Sequence, residues 1–466
     1  MNSHSNVKEL LDSLNGIVSV SAGQLQVQNE QRLRDQAIDS LIYDAVFGPD
    51  DVKAAARWII WESGQQLGIL PASIQDLYEA RGRGEVDHFT VPAMNIRGLT
   101  YDISQVIFRA ALRNNVGPFV FEIARSEMGY TDQRPDEYAI AHIAAAIKTG
   151  YRGPVFIQGD HFQVNRKRWE QDPNAEIAGV KKLIDEAIPA GFYNIDIDTS
   201  TLVDLSQPDV DAQQRNNFVN AAELTAYVRS KEPKGITISV GGEIGEVGGK
   251  NSTPEELDAF MNGYLAELRR IDPSMKGISK ISIQTGTEHG GVVLPDGRIA
   301  DVALDFETLK TLSHLARTKY GLAGAVQHGA STLPDEAFHK FVESGCCEVH
   351  LATAFQNMLF ESRHFPDQLR REMYDYLKRE LADQRKPSQT EGQFIYKTRK
   401  NAFGPFKKRL WDLPKETKDA LGRELEEKFV FLFQQLSVVD TRELVDKWIK
   451  PVKVSRPVPD SLGVRA

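Results

Sequence analysis

The sequence predicts an α/β protein, a (β/α)8 TIM barrel carrying extra helical segments at both ends. Three observations predict it. Eight short apolar segments recur between His88 and Phe355, each followed by a helical stretch. Strand-then-helix alternation implies a parallel sheet, and eight repeats imply a closed barrel. Ionisable residues gather where the apolar segments stop. No glycine-rich dinucleotide fingerprint follows the first segment, which disfavours an open doubly wound sheet.

The elements follow in order. Residues 1–87 read as a helical N-terminal extension, with helix spacing over Glu30–Ala45 and Asp51–Leu67. Asp50 or Asp51 can cap the second helix. Trp58, Trp61 and Leu67 are expected to pack on the main domain. Residues 88–360 read as the barrel. Its strands are placed at His88–Ile96, Pro118–Ala124, Pro154–His161, Asn194–Thr199, Thr237–Gly245, Lys280–His289, Gly324–Ala330 and Glu348–Phe355. Its helices are placed at Ile103–Asn114, Glu137–Thr149, Ala175–Ala190, Asn217–Ser230, Pro254–Arg270, Asp305–Tyr320 and Pro334–Ser344. Residues 361–466 read as a helical C-terminal extension, with Pro387, Pro405 and Pro414 at turns. Its basic clusters, Lys397-Thr-Arg-Lys400 and Lys407-Lys-Arg409, suit either an anionic substrate or a solvated face. Charge runs are usually exposed, so solvation is the expectation.

Composition narrows the function class. Apolar content of 41% and charged content of 26% suit a soluble globular protein. A net charge of −9 gives no reason to expect nucleic acid. No apolar run approaches the roughly 20 residues of a membrane span. The start, Met1-Asn-Ser-His-Ser-Asn, lacks the basic and apolar regions of a signal peptide. The two cysteines, Cys346 and Cys347, are adjacent and read as a buried reduced pair. A cytoplasmic location is expected.

Chemistry concentrates at the carboxyl ends of the strands. Strand one ends in Asn95, strand two in Arg125-Ser126-Glu127, and strand three in Asp160-His161. Strand four carries Asp196 and Asp198. Strand five ends in Glu243-Ile-Gly-Glu246, strand six in Glu288-His289-Gly-Gly291, and strand seven in His328-Gly-Ala-Ser331. Strand eight carries His350 and Thr353. Burial of such groups is costly unless a ligand or partner satisfies them. Three imidazoles, His161, His289 and His328, can meet at one point and hold Zn²⁺ with a position left open. Such a metal polarises a carbonyl oxygen. Gly286, Gly290, Gly291 and Gly329 allow close backbone approach, and Ser331 lies two residues beyond Gly329. Barrels often bind phosphate near the loops after strands seven and eight.

Taken together these residues resemble the class II, zinc-dependent fructose-bisphosphate aldolase family. The resemblance runs from about Val91 to Phe355. Its motifs are Val91-Pro-Ala-Met-Asn95, Ser126-Glu127, Gly159-Asp-His161, Ile197-Asp198, Gly242-Glu-Ile-Gly245 with Gly248-Gly249, Gly286-Thr-Glu-His-Gly290 and Gln327-His-Gly-Ala-Ser331. The resemblance implies that His161, His289 and His328 hold one catalytic Zn²⁺. It implies that Asp160 transfers a proton, and that Asp198 and Glu243 are alternative or second-site ligands for a further divalent or monovalent cation. Asn95 and Ser126 would orient substrate. Gly290, Gly329, Ser331 and Thr353, with His350 on the same strand end, would line the ketose phosphate. The implied reaction cleaves or forms a ketose phosphate, a small-molecule sugar phosphate, through a zinc-stabilised enediolate. A homo-oligomer is the expected assembly.

The chain departs from the family pattern in three places. Gln158 stands where the family has a His two residues before the catalytic Asp. Lys250-Asn251 stands about where the mobile loop carries a glutamate; Glu246, Glu255 or Glu256 could replace it. Strand eight reads His350-Leu-Ala352-Thr353 instead of Asn-x-Asp-Thr. The alternative to a catalytic aldolase is a non-catalytic sugar-phosphate-binding barrel or an accessory subunit of an aldolase. A third reading is another zinc barrel enzyme, such as an isomerase or hydrolase.

Overall fold

The computed structural model describes residues 3–245, 250–286, 294 and 304–463. Eight parallel strands close into a barrel: β1 (Val91–Asn95), β2 (Val120–Ala124), β3 (Gly153–Gln163), β4 (Asn194–Asp198), β5 (Ser239–Glu243), β6 (Lys280–Ile283), β7 (Ala325–Gln327) and β8 (Glu348–Leu351). β8 pairs with β1 through Glu348↔Val91 and Leu351↔Met94, which completes the ring. Helices of 14 to 22 residues follow β1 to β5 as part of each connection. Their apolar faces pack on Val, Ile and Phe side chains of the strands, in the pattern of a sheet buried on both faces.

β3 departs from the predicted strand. It continues two residues past His161, and its register against β4 shifts between Gly159 and Phe162. The shift marks an irregularity at Asp160-His161, and His161 takes a positive φ of 40°. A bulge turns two successive side chains that a regular strand would send to opposite faces. Gly159 is needed here, because a Cβ on it would overlap the Phe162 ring.

The N-terminal residues add more than helix. A hairpin pairs Val18–Ser21 with Gln24–Val27, and a short strand, Ile69–Ala72, runs parallel to the beginning of β3. The Asn194 side chain accepts from Ile74 N at 2.9 Å and donates to Ala72 O at 3.1 Å. This stretch therefore covers the amino ends of the strands. Arg81, fully buried, donates there to the carbonyls of Phe89, Ala323 and Cys346.

Trp58 and Trp61 are buried, and their partners lie far along the chain. Trp61 Nε1 donates to Val454 O at 2.7 Å, Trp58 Nε1 to Arg456 O at 3.1 Å, and the Arg456 guanidinium stands 3.7 Å from a Trp61 ring centre. Leu67 is partly buried against the core. Cys346 and Cys347 are both buried and reduced. Among the described residues no helix is long and apolar enough to cross a membrane.

Candidate active site

The carboxyl ends of the strands open into a cavity of about 900 Å³. The irregularity in β3 delivers Asp160 and His161 to its floor, and the turn after β7 delivers His328. The rings of His161 and His328 lie 4.3 Å apart, and those of His328 and His350 lie 4.2 Å apart. Asp160, His161 and His328 place one possible ligand atom each within 4.8 Å of one another. His289 and Gly290 lie outside the described residues, as does Glu246.

Carboxylates fix the His161 ring. Its Nδ1 lies 3.0 Å from Asp198 Oδ2 and 3.3 Å from Glu243 Oε2. Burial opposes charge on this ring, but Asp160, Glu243 and Asp198 outweigh it and hold the imidazole well above its usual range. Burial also raises Asp198, yet His161 and Ser200 overcome it and keep this carboxyl below its ordinary value. Glu243 is pushed up to about 8, first by burial and then by Asp198. Of the pair, Asp198 is drawn down and Glu243 pushed up. Such an outer carboxylate sets which ring nitrogen faces a metal.

The same three residues, His161, Asp198 and Glu243, form a second group with metal-ligand spacing. The donor sets fit a zinc ion, since imidazole and carboxylate are its usual nitrogen and oxygen ligands. Metal at His161 would displace the proton that the carboxylates favour.

The remaining predicted residues divide into two sets. Ser126, Gly329, Ser331 and Thr353 line the cavity. Ser331 Oγ accepts from Ala352 N at 2.9 Å, which ties the β7 turn to the end of β8. Asn95 is buried and its amide donates to Glu127. It therefore orients Glu127, which also receives Arg97 Nε at 2.8 Å. His350 is at the cavity floor but is engaged by acids: Glu122 at 2.9 Å, Asp160 at 3.2 Å and Glu348 at 2.6 Å. Burial opposes its charge, and Glu122, Asp160 and Glu348 together raise the ring well above its usual range. His350 lines the cavity beside Asp160, and with Glu122 and Asp160 it forms a further group with metal-ligand spacing.

Beneath the cavity lies a charged network that sequence reasoning missed. Lys280 begins β6 inside the barrel and donates to Glu348, to Asp196 Oδ2 at 3.0 Å and to Gln158 Oε1 at 2.8 Å. Gln158 Nε2 in turn donates to Glu348 Oε1 at 2.8 Å and Glu122 Oε2 at 3.3 Å. Tyr78, from the N-terminal stretch, donates to Glu348. Gln158 can both accept from Lys280 and donate to carboxylates, which accounts for an amide at this position. The signal was present: Glu122, Lys280 and Glu348 are ionisable residues inside strands buried on both faces.

The basic clusters of the C-terminal extension require a correction. They are not simply a solvated face. Lys397 and Lys400 line the cavity, with Gln393 and Tyr396 of the helix Glu391–Thr398. Arg399 is buried and bonds Asn357 Oδ1 at 2.6 Å and Glu361 Oε1 at 2.8 Å. Lys407 pairs with Glu137 at 2.6 Å. Lys408 and Arg409 do reach solvent.

Comparison with known proteins agrees with the fold. The family model of class-II fructose-bisphosphate aldolase matches residues 78–408. The chain belongs to that family. No protein of curated function matches it in sequence. Among solved structures, a probable tagatose 6 phosphate kinase from Sinorhizobium meliloti 1021 is similar at 15% identity and a TM-score of 0.51, over 80% of this chain and 97% of that one. A fructose-bisphosphate aldolase from Campylobacter jejuni is similar at 17% identity and a TM-score of 0.45, over 80% and 97% of the two chains. At 15% identity the first of these likenesses is one of fold.

Proposed function

We propose that this aldolase-family chain is a metal-dependent lyase that cleaves, or in reverse forms, a carbon–carbon bond of a ketose phosphate. The observation that carries the reading is the convergence of Asp160, His161 and His328 within 4.8 Å at the floor of the cavity. His161 and His328, completed by His289, are the proposed holders of Zn²⁺. When bound, the ion supplies Lewis-acid stabilisation of negative charge on substrate oxygen.

The chain's own groups do the rest. Aldol cleavage begins with loss of a hydroxyl proton, and Asp160 is the carboxylate assigned to accept it. His350, 3.2 Å from Asp160 Oδ1, fixes the direction of that carboxylate. Ser331, Gly329 and Thr353 are assigned to one phosphate of the substrate, and Ser126 to its carbonyl end. A Schiff base at Lys280 does not suit this site. Burial lowers that ammonium, but Asp196 and Glu348 outweigh it and keep it protonated.

A second reading is a non-catalytic sugar-phosphate-binding barrel or an accessory subunit. Two loop contacts favour it. Glu256, a candidate for the loop glutamate, accepts from Thr253 N at 2.9 Å and pairs with Lys250 at 2.7 Å, so it caps a helix. Glu255 is exposed in the same turn. Metal analysis of the purified chain, with a screen of ketose phosphates for aldehyde release, separates the readings. Bound zinc and aldehyde release support the lyase; zinc-independent binding without release supports the second.

A further inference from the structure

We infer that Glu122, Asp160 and His350 form a second cation site, which takes a divalent first-row metal ion through two carboxylate oxygens and one imidazole nitrogen. It is distinct from the position proposed for zinc and from the pair Asp198 and Glu243. The site opens to the cavity of the proposed lyase reaction, but ion binding is measured without turnover.

Elimination leads to this group. Among the described residues, four groups have metal-ligand spacing. Asp160, His161 and His328 belong to the zinc position already proposed. His161, Asp198 and Glu243 draw on the same His161, so an ion there competes with that zinc. Asp196, Glu348 and His350 already enclose a cation, because the Lys280 ammonium bonds Asp196 Oδ2 at 3.0 Å and also Glu348. The remaining group, Glu122 from β2, Asp160 from β3 and His350 from β8, shares only Asp160 with the zinc position and brings an imidazole of its own.

The geometry is that of a ligand set. His350 Nδ1 lies 2.9 Å from Glu122 Oε2 and 3.2 Å from Asp160 Oδ1. Atoms bound to one ion at about 2.1 Å lie about 3.0–3.4 Å from one another. The other ring nitrogen, Nε2, lies 2.6 Å from Glu348 Oε1. A metal-bound imidazole usually donates its second N–H to a carboxylate in this way. Glu348 therefore stands behind His350 as Asp198 stands behind His161. Glu122, Asp160 and His350 are all buried, and all three line the cavity, which gives an ion a path in. Carboxylates also predominate here. Glu122, Asp160, Asp196 and Glu348 gather around Lys280 and His350, and a divalent ion offsets that excess of buried negative charge. Carboxylate oxygen suits Mn²⁺ and imidazole suits iron and zinc, so the mixed set points to a first-row transition ion.

The test uses the full chain as purified, with Mn²⁺ as the probe. Zn²⁺ outranks Mn²⁺ at a common set of ligands, so added Mn²⁺ reports a position that zinc leaves open. Binding is followed by the electron paramagnetic resonance of free Mn²⁺. About one Mn²⁺ per chain is expected to bind, with an imidazole nitrogen coupled to it in the pulsed spectrum. No binding, or a bound ion without nitrogen coupling, overturns the inference. Glu122→Gln and His350→Asn are each expected to abolish the binding event, and Glu348→Gln to weaken it about 10–100-fold. Glu243→Gln is expected to leave it in place. Should Glu122→Gln or His350→Asn not fold, the other decides. Unchanged Mn²⁺ binding in these two variants overturns the inference, as does loss of binding in Glu243→Gln alone, which would put the ion beside Asp198. If the purified chain holds no zinc and releases no aldehyde, the lyase reading fails. The response to Glu122→Gln still decides the second site, because Glu122 belongs to no other of the four groups.

Discussion

His161 Nδ1 lies 3.0 Å from Asp198 Oδ2, so the ring that the β3 irregularity turns into the cavity is held from behind by a carboxylate. Asp198→Asn keeps the shape and removes the charge. Metal affinity, measured by competition with a chelator, is expected to fall about 10–100-fold. An unchanged affinity would show that Asp198 does not act on His161.

Elemental analysis is expected to find about one zinc per chain. His161→Ala and His328→Ala should each lose the metal and most of the activity while circular dichroism stays that of the barrel. A chain stripped by chelator that turns over at the original rate would remove the metal assignment.

Asp160→Asn is expected to bind zinc as the unaltered chain does and to lose about 10²–10⁴-fold in kcat, because an amide cannot accept the hydroxyl proton. Turnover near the original rate would make Asp160 a structural residue.

Glu122 is pushed up to about 8, chiefly by burial, from its ordinary 4.5. A carboxyl raised in the fold stabilises it below the unfolded value and loses that contribution as pH rises through the folded value. The stability advantage of the unaltered chain over Glu122→Gln should therefore shrink between about pH 4.5 and pH 8. Denaturant unfolding of both proteins across that window measures it. A constant difference would mean that Glu122 is ionised throughout.

Strand eight bears on substrate choice. Ala352 lines the cavity, at the position where the family pattern Asn-x-Asp-Thr has an Asp, a hydrogen-bond acceptor. A site that lacks such an acceptor loses about 1–3 kcal/mol of discrimination for that group. Fructose 1,6-bisphosphate is therefore not expected to be the best substrate in a kcat/KM panel of ketose mono- and bisphosphates. The ketose that leads is expected to differ in chain length, stereochemistry or terminal anionic group. If fructose 1,6-bisphosphate leads, the change at Ala352 does not set selectivity.

Much of the barrel was legible in the sequence, for a physical reason. Strands buried on both faces appear as short apolar runs, and seven intervening helices carry their own periodicity. Asp160, His161 and His328 were legible because polar groups at strand ends stand out against those runs. The Lys280–Glu348 pair was not, since its members are separated by 68 residues and meet only when β6, β7 and β8 are aligned. The two functions within one basic cluster were not legible either. Lys397 and Lys400 differ from Arg399 only by which side of a short helix end they occupy. The irregularity at Asp160 was read as a strand end, because one extra residue leaves the apolar pattern intact.

The contact of Trp58 and Trp61 with residues 454–456 has a consequence for how the chain is made. The carbonyls and guanidinium that cover both tryptophans are synthesised nearly 400 residues after them. Throughout that interval the aromatic face lacks these native partners. The two tryptophans therefore reach their native burial only after residues 454–456 have been made.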